Sequence, residues 1–203
     1  MGRQRTSNFI AFDLEMNQPS DKIIQIGAVA GNIDTGEILE TMSHLVKIDE
    51  TLCTDSSICD IPKLIGITDK MIEEDGIHLP DAYLHLANLR KKHNCHRNPI
   101  VWGGGDMPHL KSELINRFGM QFSEGFGVNK ELPMFCFGRR WFDVKSFFQM
   151  YVHMNGQSMQ SGLRKSISRM GLEFHGRGHD AMYDAYNTFK IAHVLFSKLI
   201  KGD

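Results

Sequence analysis

The chain has 203 residues, and 23 lysines and arginines stand against 24 aspartates and glutamates, giving a formal net charge of −1. This length suits one domain, the 41% of hydrophobic residues can form a core, and no run of about 18 apolar residues could span a membrane. The near-neutral charge argues against a protein that binds nucleic acid through bulk electrostatics alone.

The first residues of the chain and its cysteines predict a cytoplasmic protein. The first residues carry charges without an apolar stretch behind them, unlike a secretory signal. The four cysteines form no CxxC pair, so free thiols are expected. Cys95, with His93 and His96 beside it, lacks the spacing of a closed zinc site. We expect residues 1–7 to be a flexible segment and residues 8–203 to be a single domain.

The first third of the chain predicts three strands. Apolar runs cover residues 8–13 and 22–33, and a turn at Asp34-Thr35-Gly36 leads into a third strand over residues 37–48. Because the linkers are short and contain Asp and Gly, the three strands are expected to form an antiparallel meander.

The rest of the chain alternates helical and strand patterns. Helical spacing covers 80–92, a short buried strand covers 100–102, and a helix is predicted to open at Pro108 and stop at Gly119. Residues 119–138 predict a long loop, 141–143 another strand, and three further helices follow, the last with apolar residues from 185 to 199. This order predicts a single α/β or α+β domain with a mixed sheet.

Two carboxylates close the first strand. Asp13 and Glu15 are two residues apart, so both point to one face of the strand. Side by side at the end of a buried strand they repel each other, and a divalent cation would remove that repulsion. The alternative is a strand end with solvent-exposed acids.

Two further acidic positions and a histidine stand near glycines. Asp106 follows a strand and three glycines, where it serves either a ligand site or the N-cap of the next helix. Asp184 lies in the first turns of the last helix, where the helix dipole favours an anion. His179 precedes that helix after a glycine-rich segment and could reach the same site, although most histidines are surface residues.

Taken together, these positions resemble the DEDD exonuclease superfamily in its histidine-bearing branch, which includes RNase T, proofreading subunits of DNA polymerase and RNA-trimming exonucleases. The matching motifs are Asp13-x-Glu15, Asp106, and His179-x-Ala-x-x-Asp184. Residues 24–29 and 66–69 (Gly-Ile-Thr-Asp) also resemble the family, whereas Gln25 stands where a glutamate is common. The resemblance implies an RNase H-like α/β fold with a mixed sheet of about five strands flanked by helices.

The resemblance implies a metal-dependent 3′–5′ exonuclease that releases nucleoside 5′-monophosphates from RNA or single-stranded DNA. Two Mg²⁺ or Mn²⁺ ions about 3.5–4 Å apart would be held by the four carboxylates. Asp13 would bridge both ions, Glu15 and Asp184 would complete one site, and Asp106 would hold the other. His179 would be the general base.

Substrate contacts are also implied. The backbone of Leu14 to Met16 and the segment Gly66, Ile67 and Thr68 would cradle the 3′-terminal nucleotide. Met16, Ile67 and Phe174 could pack against bases, although core packing is an equal interpretation. The basic residues that could follow the phosphates are Arg164, Lys165 and Arg177. The implied partner is a nucleic acid with a free 3′ end, and no membrane is expected as a partner. Many relatives are dimers, so the resemblance leaves a homodimer open.

Two other functions fit the same residues. One is a non-catalytic nucleic-acid-binding module that kept the fold, and the other is a related two-metal endonuclease. Retention of all five chemical positions argues against the first, and a closed circular substrate separates the second from an exonuclease.

Overall fold

The computed structural model describes residues 6–52, 66–119 and 135–201. The strands are β1 (Asn8–Asn17), β2 (Lys22–Asn32), β3 (Ile38–Leu45), β4 (Ile100–Val101) and β5 (Phe142–Asp143). The helices in these ranges are α1 (Asp69–Asp75), α2 (Leu79–Lys92), α3 (Asp106–Phe118), α4 (Val144–Met154), α5 (Leu163–Arg169) and α6 (Ala181–Lys201).

The five strands form one mixed sheet in the order β3-β2-β1-β4-β5. β1 pairs antiparallel with β2, and β2 pairs antiparallel with β3, which confirms the predicted meander. β4 pairs parallel with β1, and β5 pairs parallel with β4. The predicted mixed sheet of about five strands flanked by helices is therefore confirmed.

Several element boundaries differ from the sequence prediction. Helix α3 begins at Asp106, ahead of Pro108, and Gly105 is its N-cap residue without a side-chain cap bond, so the interpretation of Asp106 as an N-cap is wrong. The stop at Gly119 is confirmed, because Gly119 is the C-cap with φ +61°. Helix α1 had no apolar period that could have predicted it. Most of the predicted loop at 119–138 lies outside the described residues.

Alternation along β1 divides the core into two layers. Ile10, Phe12 and Leu14 are buried on one face, in a cluster that includes residues of α2 and α3. Ala11 is buried on the other face, against residues of α4, α5 and α6. Since Asp13 continues the alternation that begins at Ala11, its side chain lies on the α6 side of the sheet.

The start of the described chain joins the sheet. Thr6 donates from its hydroxyl to the Asn94 carbonyl at 2.9 Å, and the Ser7 carbonyl accepts from the Ile33 N–H at 2.8 Å. These two residues of the predicted N-terminal segment are thus hydrogen-bonded to the domain. Within the described ranges, every helix is too short or too polar to cross a lipid bilayer.

Candidate active site

The site forms toward the C-terminal end of β1, the central strand of the sheet. Glu15 is 5% exposed, and the pairing of β1 with β2 shifts register between Glu15 and Met16. A register shift of this kind is a β-bulge, which bends the strand and redirects the side chains beside it. The two carboxylates of β1 therefore lie at an irregular strand end beneath the N-terminus of α6.

A glycine lets α6 approach the sheet closely. Gly27 pairs with Asp13 across β1 and β2. A Cβ atom added to Gly27 would lie 2.0 Å from the backbone nitrogen of Met182, so the backbone of α6 contacts the backbone of β2 directly. This contact places the first turn of α6, and Asp184 with it, over the carboxylates of β1.

Gln25 fixes the same helix end by hydrogen bonding. Its side-chain oxygen accepts from the Ala181 N–H at 3.1 Å, and its side-chain nitrogen donates to the Ser43 hydroxyl at 3.2 Å. The first N–H groups of a helix have no partner within the helix, so this buried amide satisfies one of them. Gln25 also pairs with Glu15 in the sheet, which ties the helix start to a carboxylate position.

His179 stands at the turn before α6. Its φ of +59° is unusual for a non-glycine residue, and its backbone N–H donates to Asp184 Oδ2 at 3.1 Å. Glu15, His179 and Asp184 each offer one ligand atom, and these three atoms lie within 4.8 Å of one another. The structure thus brings together three of the five predicted chemical residues as a possible metal-ligand set.

Asn187 holds the segment that carries His179. Its side-chain oxygen accepts from the His175 N–H at 2.9 Å, and its side-chain nitrogen donates to the carbonyls of His175 at 2.9 Å and Tyr183 at 2.7 Å. Asn187 is fully buried, so each lost bond would leave a polar group in the core. Gly176, with φ +74°, lies against the Tyr183 ring and lets the segment turn toward His179.

Burial and mutual repulsion raise the pKa values of the clustered carboxylates. Burial raises the pKa of Glu15 to about 8, with further repulsion from Asp184 and Asp106. Burial raises the pKa of Asp106 to about 7 and that of Asp184 to about 6. The pKa of Asp13 lies well above its usual value, because Asp13 is buried and Asp106 and Glu15 repel its negative charge.

These residues fit a divalent cation. Asp184 Oδ1 is buried and has no hydrogen-bond partner within the described parts of the chain, although its partner oxygen accepts from His179. Buried polar atoms are normally satisfied, so an orphaned carboxylate oxygen beside Glu15 indicates a missing ligand. Oxygen donors of this kind are the ones that Mg²⁺ and Mn²⁺ prefer.

The structure gives the predicted substrate residues different roles. The Leu14 side chain is buried in the core on the opposite face of the sheet, so only its backbone faces the site end of β1. Met16 is half-buried against the same core. Ile67 is 7% exposed and packs with Ile24, which favours the core interpretation over base packing. The Thr68 hydroxyl accepts from the Met71 N–H and caps α1.

Gly66 and Arg177, two of the predicted substrate residues, lie close to each other. A Cβ atom on Gly66 would lie 3.6 Å from an Arg177 guanidinium nitrogen, and Gly66 has φ +68°. The segment that begins at Gly66 and the segment that carries His179 therefore approach each other.

Sequence reasoning missed four residues that build the site: Gln25, Gly27, Asn187 and Asp180. Asp180 accepts from the Met182 N–H at 3.1 Å at the start of α6. The pKa of Glu15 is raised mainly by burial, then by repulsion from Asp184 and Asp106, and least by the charge of Asp180. A signal was present for Asn187, since an amide within the apolar face of an otherwise apolar helix is costly unless it is hydrogen-bonded. Gln25 gave the same signal within an apolar strand.

The fold and the arrangement of these residues can be set beside known proteins. The chain matches no protein-family model. It is 24% identical over 180 residues to ERI1 exoribonuclease 2 of Homo sapiens, covering 85% of this chain and 25% of that protein. The chain thus spans about a quarter of the length of this curated relative.

Solved structures share the fold across nearly the whole chain. The nuclease domain of 3′hExo, a DEDDh family member bound to rAMP, superposes with a TM-score of 0.70 at 17% identity, covering 99% of this chain and 96% of that one. A 3′-exonuclease described in 3′-end recognition of a histone mRNA stem-loop gives a TM-score of 0.71 at 17% identity, covering 95% and 64%. Pop2p of S. pombe, in an Mg²⁺- and Mn²⁺-bound form, gives 0.59 at 16% identity, covering 96% and 85%.

The class of fold is therefore that of the DEDDh exonuclease domains, and the predicted RNase H-like architecture is confirmed. The predicted resemblance agrees with these matches, since the sequence relative is named an exoribonuclease and the structural neighbours include a DEDDh nuclease domain and a 3′-exonuclease.

Proposed function

We propose that this chain is a metal-dependent 3′–5′ exonuclease that hydrolyses terminal phosphodiester bonds of single-stranded RNA or DNA to nucleoside 5′-monophosphates. The observation that carries the proposal is the site itself. Ligand atoms of Glu15, His179 and Asp184 lie within 4.8 Å of one another, and buried carboxylates surround them. The match to an exoribonuclease and the shared fold with an rAMP-bound nuclease domain support this activity.

The four carboxylates would hold two divalent cations, Mg²⁺ or Mn²⁺. When bound, such ions supply positive charge that stabilises the attacking and leaving oxygens of a phosphodiester. Asp13 and Glu15 present their side chains from β1, Asp184 from the first turn of α6, and Asp106 from the start of α3. Because the four carboxylates lie on three paired or packed elements, the donor set is fixed before any ligand arrives.

His179 would take the proton from the attacking water. A general base must reach the water and also exchange its proton with solvent, and the His179 side chain is exposed beside Glu15 and Asp184. The hydrogen bond from the His179 backbone N–H to Asp184 Oδ2 links the position of the base to that of a carboxylate donor. The base and the cation site are therefore aligned by the same turn.

The experiment is digestion of a 3′-labelled oligonucleotide, as RNA and as DNA of one sequence, with Mg²⁺ or Mn²⁺. The expected first product is the labelled nucleoside 5′-monophosphate, and Asp13→Asn is expected to release none. If the wild type releases no mononucleotide from either polymer, the proposal fails.

A closed circular strand of the same sequence completes the test. An exonuclease leaves the circle intact, because the circle offers no 3′ end. Cleavage of the circle would replace the proposal with a two-metal endonuclease.

A further inference from the structure

A large open cavity adjoins the carboxylate cluster on the side of α5. Its volume is about 780 Å³, and we name it the α5 cavity. Arg164 and Lys165 of α5, Phe174 and Arg177 of the segment before α6, and the site residues His179 and Asp184 are among the residues that line it. The cavity therefore opens directly into the candidate active site.

Arg164 is held in place at the wall of this cavity. Its guanidinium carbon lies 4.2 Å from the centre of the Phe174 ring, within the range of a cation–π contact. A Cβ atom on Gly178 would lie 3.3 Å from an Arg164 guanidinium nitrogen, so the same group also lies against the turn before His179. An exposed arginine ordered in this way presents a fixed charge, unlike an ordinary solvated side chain.

The charges of the α5 cavity are arranged in two parts. Arg164, Lys165 and Arg177 provide three positive side chains, and the single acid among the lining residues is Asp184, at the end that belongs to the carboxylate cluster. One end therefore suits cations, and the wall that leads away from it suits anions. A ligand that matches both ends carries several phosphates in a row.

We propose that the α5 cavity binds the backbone phosphates of the nucleotides that precede the scissile bond, an inference that rests on the proposed exonuclease function. Lys165 and Arg164 would contact these phosphates, while the segment at Gly66, which approaches Arg177 and is not among the lining residues, would be left for the terminal nucleotide.

The Arg164–Phe174 pair also sets the kind of recognition. Because Arg164 covers one face of the Phe174 ring, that face is not open to a base. The wall thus offers fixed positive charge, and contacts to phosphates carry no sequence information. Binding in the α5 cavity is expected to be independent of base identity and sensitive to salt.

The test compares two substrates of the same enzyme in the presence of Mn²⁺. The p-nitrophenyl ester of a nucleoside 5′-monophosphate has one phosphodiester and no preceding nucleotide, whereas a single-stranded oligonucleotide has both. Lys165→Ala is expected to lower the ratio of kcat/KM for the oligonucleotide to that for the ester by about three- to tenfold. It should also reduce the salt dependence of the oligonucleotide KM by about 0.7 in the log–log slope, as for one phosphate contact on a single strand.

Arg164→Lys and Lys91→Ala sharpen the comparison. Arg164→Lys keeps the charge and loses the planar stack on Phe174, so the ratio should fall here as well. Lys91 is exposed at the end of α2, in the layer on the opposite face of the sheet, and its substitution should leave the ratio at the wild-type value.

The outcomes separate the inference from the function on which it rests. If the wild type hydrolyses neither substrate, the proposed function fails. If the ester and the oligonucleotide are both hydrolysed and Lys165→Ala leaves their ratio unchanged, or lowers both rates equally, the phosphate role of the cavity is overturned. A variant that weakens inhibition by nucleoside 5′-monophosphate without changing the ratio would assign the cavity to the released nucleotide and overturn the inference too.

Discussion

The two halves of the candidate site are built in different ways. Three of the four carboxylates lie on β1 and α6, and α6 is fixed to β2, the pairing partner of β1, by the backbone contact at Gly27 and the Gln25 hydrogen bond. The histidine half is an exposed turn at φ +59°, attached by the side chain of Asn187 and by one N–H bond to Asp184. The cation donors are thus part of the rigid fold, whereas the proton acceptor is held by a few hydrogen bonds.

Because of this difference, we expect that mutation can separate cation binding from proton acceptance. Changes in the carboxylate half should abolish cation binding and activity together. Changes in the histidine half should reduce the rate while cation binding persists, because the donors of β1 and α6 remain in place.

The largest effect is expected for Asp13→Asn. Under the proposed function Asp13 holds the cations, so its loss would remove several kcal/mol of transition-state stabilisation, and kcat/KM should fall at least about 10³-fold. Cation binding measured by calorimetry should be lost, while the cation-free protein should melt at a higher temperature, because Asp13 no longer repels Asp106 and Glu15.

Glu73→Gln is the matched control, since Glu73 is an exposed acid of α1. Retention of tight cation binding by Asp13→Asn would show that the carboxylate half does not hold the ion as a unit.

His179→Gln should come next in size. Loss of a general base costs about 10²- to 10⁴-fold in kcat. Cation affinity should stay close to the wild-type value, and exposed His78 provides the control His78→Gln. A parallel loss of cation affinity would make His179 a ligand, as its place in the 4.8 Å set permits, and would erase the distinction between the two halves.

Asn187→Ala should lower kcat about ten- to hundredfold, because the segment that carries His179 loses its attachment. The backbone groups of His175 and Tyr183 lose their partners, which costs about 1–3 kcal/mol of stability each. Thermal stability falls as well, so the decisive measurement is a double-mutant cycle with His179→Gln. If Asn187 acts by positioning His179, its substitution should have little further effect on kcat in the His179→Gln background. An equal loss in both backgrounds would mean that Asn187 supports the whole site.

The smallest effect concerns pH. The raised pKa values mean that the cation-free folded protein holds protons that the unfolded chain has lost, so stability falls as pH rises from about 5 to about 8. Melting temperatures of the chelator-treated protein should show this decline, and Asp13→Asn or saturating Mg²⁺ should flatten it. A slope that is unchanged by both would place the titrating groups outside the carboxylate half.

The sequence predicted most of the fold because its elements carry clear periods. The meander, the short strands before α3 and α4 and the long amphipathic α6 all follow from apolar spacing and glycine turns. Helix α1 escaped prediction because its seven residues bury one side chain, Ile72, which is too few to set a period.

Sequence reasoning singled out the acidic side chains and missed the residues that position them. Acids at the end of an apolar strand are visible in a sequence, since they oppose the local pattern. Gly27 acts through its contact with the backbone of Met182, which is far away in the sequence. Long-range contacts of this kind leave no local period, so a single sequence does not reveal them.

Gly27 has a further consequence for anyone who redesigns this protein. The position works because glycine has no Cβ: the backbone of Ala181 and Met182 occupies the space that a side chain here would need. A scan that replaces polar and charged side chains by alanine would pass over this residue. Yet the missing methyl group at Gly27 lets α6 lie close to the sheet, and this distance sets the spacing between Asp184 of α6 and the acids of β1.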